Sequence, residues 1–400
     1  MRYFYLILLC FVFTACNVVL IAAQDSRIAA KSINSVAVNI YKELATEKGN
    51  IFFSPFSITE TLILTAAGAS GKTAEEMETT LHFVGRGKEI HASMQMISKR
   101  FNSVPFDTGV LKVANRLWLD KEERLVSGYS KLVNKYYSAG VDIVDYGKDH
   151  NNARKRINNW VAEQTNYKIN DLLHEGDVTP LTKLILTNAI YFNSAWEFPF
   201  IKDNTKEEPF YTGKGIHSNI SMMTRTGKYF YGENETLQII KVPYTISGFS
   251  MMVVLPKEND DFSQLQKLEK ELSLENLQNW MNNLNEAEIN LSLPKFKDEQ
   301  RYSLNQILKK LGMALAFTEE ADFSNMFKKD KGVHISNVIH QTFINLDEER
   351  TEATASTAVI MTTRGHISSP IVFNANHPFL YFIVDEHTGV VVFIGRFSNS

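Results

Sequence analysis

The spacing of apolar residues changes partway along the chain. In the first half they recur at helical intervals. Ser54-Pro55, an N-cap residue with proline at the first helical position, opens a run through Ile58, Leu62, Ile63 and Ala66. Thr73-Ala74-Glu75-Glu76 reads as a capping box leading to Met77 and Leu81. Ile157, Trp160, Val161 and Ile169 extend helical spacing over 154–173. From residue 184 the pattern becomes strand-like. The runs 184–192, 249–255 and 289–296 are almost continuously apolar, as strands covered on both faces require. One further capped helix is expected from Ser303-x-x-Gln306 to Gly312, followed by strands at 334–346, 371–375, 379–384 and 390–396. Helices early and strands late predict an α+β fold. No repeat, low-complexity tract or linker divides it, so 24–400 is expected to form a single domain.

The first residues have another character. Arg2 precedes an apolar stretch over 3–13, the pattern of a secretory signal peptide. Cleavage after Cys16 or after Ala23 fits; Ala23 is preferred because the chain turns polar at Gln24, which makes 1–23 the signal. A membrane anchor is disfavoured because no second span follows. Removal takes the formal charge from −3 to −4 and removes Cys10 and Cys16, the only cysteines. A secreted, extracellular chain without disulfides must rely on core burial, which 44% hydrophobic content permits. The sequons at Asn219, Asn234 and Asn290 suit that route, with Asn290 in a strand-like run and least suited to glycosylation. The absence of a basic excess argues against nucleic acid. Acids interspersed among Lys295, Lys297, Arg301, Lys309 and Lys310 favour a solvated face over a glycosaminoglycan site.

Catalytic signatures are missing. Leu62–Thr73, LILTAAGASGKT, approaches a phosphate-binding loop, but Ala66 stands where the first glycine is needed and a helix, not a strand, precedes it. No G-x-S-x-G, H-E-x-x-H or C-x-x-C occurs, and no histidine pair has metal-ligand helical spacing. The sequence therefore predicts no enzyme, no cofactor and no metal.

The segment 348–370, EERTEATASTAVIMTTRGHISSP, is longer than an ordinary hairpin loop. Yet 351–363 holds no Gly or Pro and alternates. Thr351, Ala353, Ala355, Thr357, Val359 and Met361 make a small or apolar face, while Glu352, Thr354, Ser356, Ala358, Ile360 and Thr362 make the other. This is a strand pattern where a loop is required.

On these residues the chain resembles the serpin family over essentially its whole mature length. Asn50-Ile-Phe-Phe-Ser-Pro-Phe-Ser-Ile58 is similar to the family's early helix motif, and Asn188-Ala-Ile-Tyr-Phe-Asn-Ser-Ala-Trp196 to its central-sheet motif. Glu348-Glu-Arg-Thr-Glu-Ala353 resembles the hinge, and Phe373-Asn-Ala-Asn-His-Pro-Phe-Leu380 the C-terminal signature. The resemblance implies three sheets, about nine helices and a metastable native state whose exposed reactive-centre loop inserts into the main sheet. The family spacing of seventeen residues from Glu348 puts the cleaved bond at Arg364–Gly365, and Arg364 suits the acidic S1 pocket of a trypsin-like serine protease. The implied product is a covalent acyl-enzyme complex with that protease, made by a monomeric inhibitor.

By motif, Ser54, Asn188 and His340 resemble a polar cluster beneath the sheet, and Trp196, Lys295 and Glu348 the point where the loop enters. The hinge comprises Glu348, Arg350, Thr351, Glu352, Ala353, Thr354, Ala355 and Ser356. Arg350 departs from the family, whose inhibitory members usually carry glycine there; the alternative is a non-inhibitory serpin that is only cut. Arg350 has the opposite parity to Thr351 and Ala353, so insertion would point it outward, and the following residues stay small. Sequence style is similar to serpins of blood-feeding arthropods, especially ticks, which would make host proteases the targets.

Overall fold

Among the described residues two hydrogen-bonded sheets carry the fold, and a helix buried on every side lies between them. The computed structural model describes residues 26–105, 109–137, 140–213, 216–258, 262–328, 332–348 and 369–398. Among them the helices are α1 (26–44), α2 (Pro55–Ala66), α3 (Gly71–Thr80), α4 (Gly87–Asn102), α5 (Ser127–Tyr136), α6 (Tyr146–Gln164), α7 (Phe262–Glu271), α8 (Leu274–Asn282) and α9 (Asn305–Lys310). The strands of the first half are β1 (Ile51–Phe53), β2 (Gly109–Asp120), β3 (Gly140–Val144), β4 (Leu184–Ser194), β5 (Lys206–Gly213), β6 (Ile216–Glu233) and β7 (Leu237–Pro243). Those of the second half are β8 (Phe249–Pro256), β9 (Asn285–Pro294), β10 (Phe296–Ser303), β11 (Ile335–Leu346), β12 (Ile371–Asn374), β13 (Phe379–Asp385) and β14 (Val390–Phe397).

The smaller sheet has the order β10-β11-β4-β2-β3. The larger runs β1-β14-β13-β8-β7-β6-β9-β12, with β5 also on β6. The third sheet expected from the resemblance is joined to the second through β6. This 18-residue strand pairs with β5 near its start, with β9 along most of its length and with β7 at its end.

Helix α2 forms as its sequence requires. Ser54 Oγ accepts from Ser57 N at 3.2 Å, and Pro55 occupies the first turn. All twelve residues are buried, because α2 packs on β14 on one side and on β2 and β4 on the other. Strands β4, β8, β11, β13 and β14 fall where the apolar runs place them.

Several expectations need correction. Thr73 caps nothing: α3 starts at Gly71, and the Thr73 hydroxyl accepts from Asp322 N at 2.9 Å. Ser303 ends β10, pairing with Ile339, so α9 begins without a side-chain cap. The helix expected over 154–173 starts earlier: a first turn capped by Asp145 breaks at Asp149 (φ −149°, ψ 64°), whose carboxylate accepts from Asn152 N, and the helix then runs on and stops at Gln164. Asn166 and Tyr167 then take left-handed backbone angles, φ 52° and 57°, which no helix continues through. The run 289–296 is broken at Pro294, and Phe296 opens the next strand. Strand β2 lies in the supposedly helical half; most of its residues on both faces are buried and polar Lys112, Asn115 and Arg116 interrupt it, which hides the period of two.

Candidate functional site

The site is built where β4 and β11 meet. These strands pair in parallel from Ile335↔Leu184 to Phe343↔Tyr191, while β11 is antiparallel to β10 and β4 to β2. Past Phe343 and Tyr191 the two strands part. A crevice opens there between Phe192 and Ser194 on one side and Ile344 and Leu346 on the other. Trp196 crosses its end: the indole Nε1–H donates to Asp347 O at 2.9 Å, and the ring stacks on Tyr244 at 4.6 Å.

Glu348, the last described residue before the loop, is anchored beside this crevice. Its carboxylate accepts from Lys295 Nζ and from Thr205 Oγ1, each at 2.8 Å, and its carbonyl accepts from Phe200 N at 3.2 Å. Burial pushes its pKa up, but the Lys295 ammonium, its own amide and the Thr205 hydroxyl outweigh that and hold it below the usual carboxylate value. The carboxylate is thus ionised and pins the end of β11.

Beneath the sheet, strand register sets Tyr302, His340, Asn188 and Asn115 in one row across β10, β11, β4 and β2. His340 Nε2 accepts from Ser54 N at 2.9 Å, so the ring is neutral with its proton on Nδ1. Full burial drives its pKa down to about 3, only partly countered by the Asn188 main chain. Ser54 Oγ donates to Val392 O at 2.7 Å, tying this cluster to the larger sheet. Asn188 is wholly buried, and among the described residues neither end of its side-chain amide has a hydrogen-bond partner. A buried amide left unpaired costs about 1–3 kcal/mol. It lies at the seam between two parallel strands. An antiparallel strand entering that seam would hydrogen-bond to both.

The residues singled out by motif therefore fall into two groups. Ser54 and His340 touch, with Asn188 beside them; Trp196 lines the crevice, and Glu348, paired with Lys295, stands next to it. Asn115, Thr205 and Tyr244 were not singled out. Asn115 Nδ2 donates to Ser57 O at 3.2 Å, bonding β2 to α2; only recognition of β2 as a strand would have placed it in the row. Arg350, Thr351, Glu352, Ala353, Thr354, Ala355, Ser356, Arg364 and Gly365 lie outside the described residues, as do residues 1–25.

Asn219 and Asn234 are exposed. Asn234 sits in the turn between β6 and β7, its Oδ1 accepting from Thr236 N and Leu237 N. Asn290 lies mid-strand in β9, flanked by β6 and β12. The basic residues do not share one free surface. Arg301 is bound to Asp177 and Leu172 O, Lys310 to Glu43, and Lys297 lies over the Phe343 ring. Among the described residues no metal-binding cluster occurs, and no helix is long and apolar enough to cross a membrane.

The fold and its motifs are shared widely. The family profile described as serpin, serine protease inhibitor, matches residues 31–400. Human Serpin B3 is 36% identical over 373 residues, covering 88% of this chain and 94% of that one. The leukocyte elastase inhibitor of Xenopus tropicalis is 38% identical over 355 residues, covering 88% and 93%. The crystal structure of maspin superposes with a TM-score of 0.88 at 29% identity, over 94% of this chain and all of that one. With a profile spanning nearly the whole length and relatives above 30% identity, the chain belongs to the serpin family.

Proposed function

We propose that the mature chain is a secreted suicide inhibitor of trypsin-like serine proteases, cut at Arg364–Gly365. The observation that carries this reading is the parallel β4–β11 seam, set at the root of a segment with strand periodicity. The thirteen residues 351–363 exceed the eleven of β4, so the segment is long enough to run down the seam. Insertion would turn a parallel contact into two antiparallel ones and bring a hydrogen-bonding backbone to the unpaired Asn188.

The chemistry follows from that motion. The protease serine attacks the Arg364 carbonyl, the bond to Gly365 breaks, and the new amine leaves with a proton, giving an ester acyl-enzyme. Insertion then carries the ester-linked protease away from the crevice and distorts it before water deacylates it. Inhibition is a race between insertion and hydrolysis. Glu348, held by Lys295 and Thr205, is the fixed end about which the loop turns. Likeness to secreted arthropod serpins supplies the setting: host trypsin-like proteases as targets, and glycans at Asn219 and Asn234.

Incubation with trypsin tests the proposal. A species of summed mass on denaturing gels, absent in Arg364→Ala, is expected. Clean cleavage at Arg364 with fully active trypsin would overturn it. Repeating the assay with Arg350→Gly would then separate a slow hinge from a chain that is only a substrate.

A further inference from the structure

A cleft of about 80 Å³ opens at one edge of the five-stranded sheet. One wall comes from α2 and α4, which pack below the sheet; the other comes from β2 and α6. Glu60, in the middle of α2, lines it and is only 4% exposed. Its carboxyl accepts from the Ser98 hydroxyl of α4 and from Asn115 Nδ2 of β2, the latter at 2.8 Å. Both donors are neutral. Among the described residues no Lys, Arg or His forms an ion pair with it. Arg116, at the edge of the cleft, has its charge committed elsewhere. It is salt-bridged to Asp142 and stacked on the Trp160 ring at 4.1 Å.

A buried carboxyl without a counter-ion is costly as an anion, and burial raises its pKa. A cation entering the cleft would remove that penalty. The remaining wall suits its stem: Phe56 and Phe101 meet edge to face at 4.7 Å and give an apolar surface beside the carboxyl. The volume is roughly half that of a cavity of about 150 Å³ able to admit benzene, so it fits a head group with a short stem.

We propose that this cleft binds a small organic cation, a primary ammonium or guanidinium on a short apolar stem, with Glu60 as its counter-ion. The occupant would hold β2 and α6 to α2 and α4, and so slow the opening of the sheet. The braking effect rests on the loop-insertion reading above; the binding does not.

Titration with n-butylammonium chloride, followed by tryptophan fluorescence and with Trp160→Phe as the blank, tests the binding. Saturable binding is expected, with n-butanol and sodium butyrate inactive. Affinity should fall about tenfold or more in Glu60→Gln, which keeps the shape and loses the charge. Asn102→Trp, at the exposed end of α4, should block the mouth of the cleft while leaving the carboxyl in place. No saturation, or equal affinity in both variants, overturns the site.

The brake is read as the ratio of cleaved chain to trapped complex after reaction with trypsin. The cation should raise it at least about twofold in the wild type and leave it unchanged in Glu60→Gln, in which any direct effect on trypsin would persist. An unchanged ratio despite proven binding overturns the brake. A chain that traps no protease with or without the cation overturns the loop-insertion reading and the brake together, and leaves the binding result standing.

Discussion

Strands β13 and β14 are antiparallel neighbours joined by a short turn, and every residue in both is buried. β13 is paired on its other side with β8, again antiparallel. Strands β4 and β11 are also mostly buried but more polar, with His340 and Asn188 facing each other across them; they meet in parallel across more than a hundred residues of sequence and separate at Tyr191 and Phe343. The first region is closed: apart from the Tyr381 hydroxyl, its side-chain polar atoms have partners. At the second, among the described residues, both ends of the Asn188 side-chain amide are left without one. Similar burial thus accompanies a finished sheet in one place and, where polar residues enter the strands, a sheet with room for another strand in the other. Burial stabilises both; hydrogen-bond completion distinguishes them.

Substitutions should separate the two. The largest loss is expected from Phe393→Ala in the closed sheet, where the ring stacks on Phe52 at 5.0 Å. It should cost about 3–5 kcal/mol, seen as a lower urea midpoint. Acid should weaken the seam next. The folded pKa of His340 is about 3, below its unfolded value of about 6.5. Its contribution is therefore complete above pH 6.5 and is lost as pH falls toward 3, reaching about 2 kcal/mol at pH 5. The pH dependence of unfolding in wild type and His340→Gln should differ by that amount.

Asn188→Leu removes an unpaired buried amide from the seam and should stabilise the five-stranded form by about 1–3 kcal/mol. On the insertion reading it should also leave more cleaved chain per trapped protease; an unchanged partition would argue that Asn188 does not govern sheet opening. Lys295→Ala should have the smallest effect. Lys295 is 44% exposed, so solvent screens the pair and the loss should be about 1 kcal/mol or less. Its readout is a slightly lower thermal midpoint, with the shift growing as ionic strength falls.

Much of this was legible from local sequence. The α2 cap, the buried strands and the alternation of 351–363 are each written within about a dozen neighbouring residues. The errors also have local causes. Thr73 and Ser303 match capping patterns, but one hydroxyl serves Asp322 N and the other residue belongs to a strand. Strand β2 was hidden because burial on both faces, with Lys112, Asn115 and Arg116 in between, erases alternation. Nothing in the local sequence marks Glu60; only the packing of α4 and β2 around it makes it a buried carboxyl without a counter-ion.

By itself the sequence determined the α+β class, the family resemblance, the helix start at Ser54 and the presence of a strand-like segment between β11 and β12. Those follow from short-range chemistry: caps, periodicity and motif residues close together along the chain. Only the tertiary structure decided that β4 and β11 lie side by side in parallel. It also decided that Asn188 is left unpaired there among the described residues, that Glu348 is pinned by Lys295 and Thr205, and that the buried Glu60 lines a cleft. Each of those depends on residues brought together from distant parts of the chain, where register, burial and partner geometry are properties of the assembled fold.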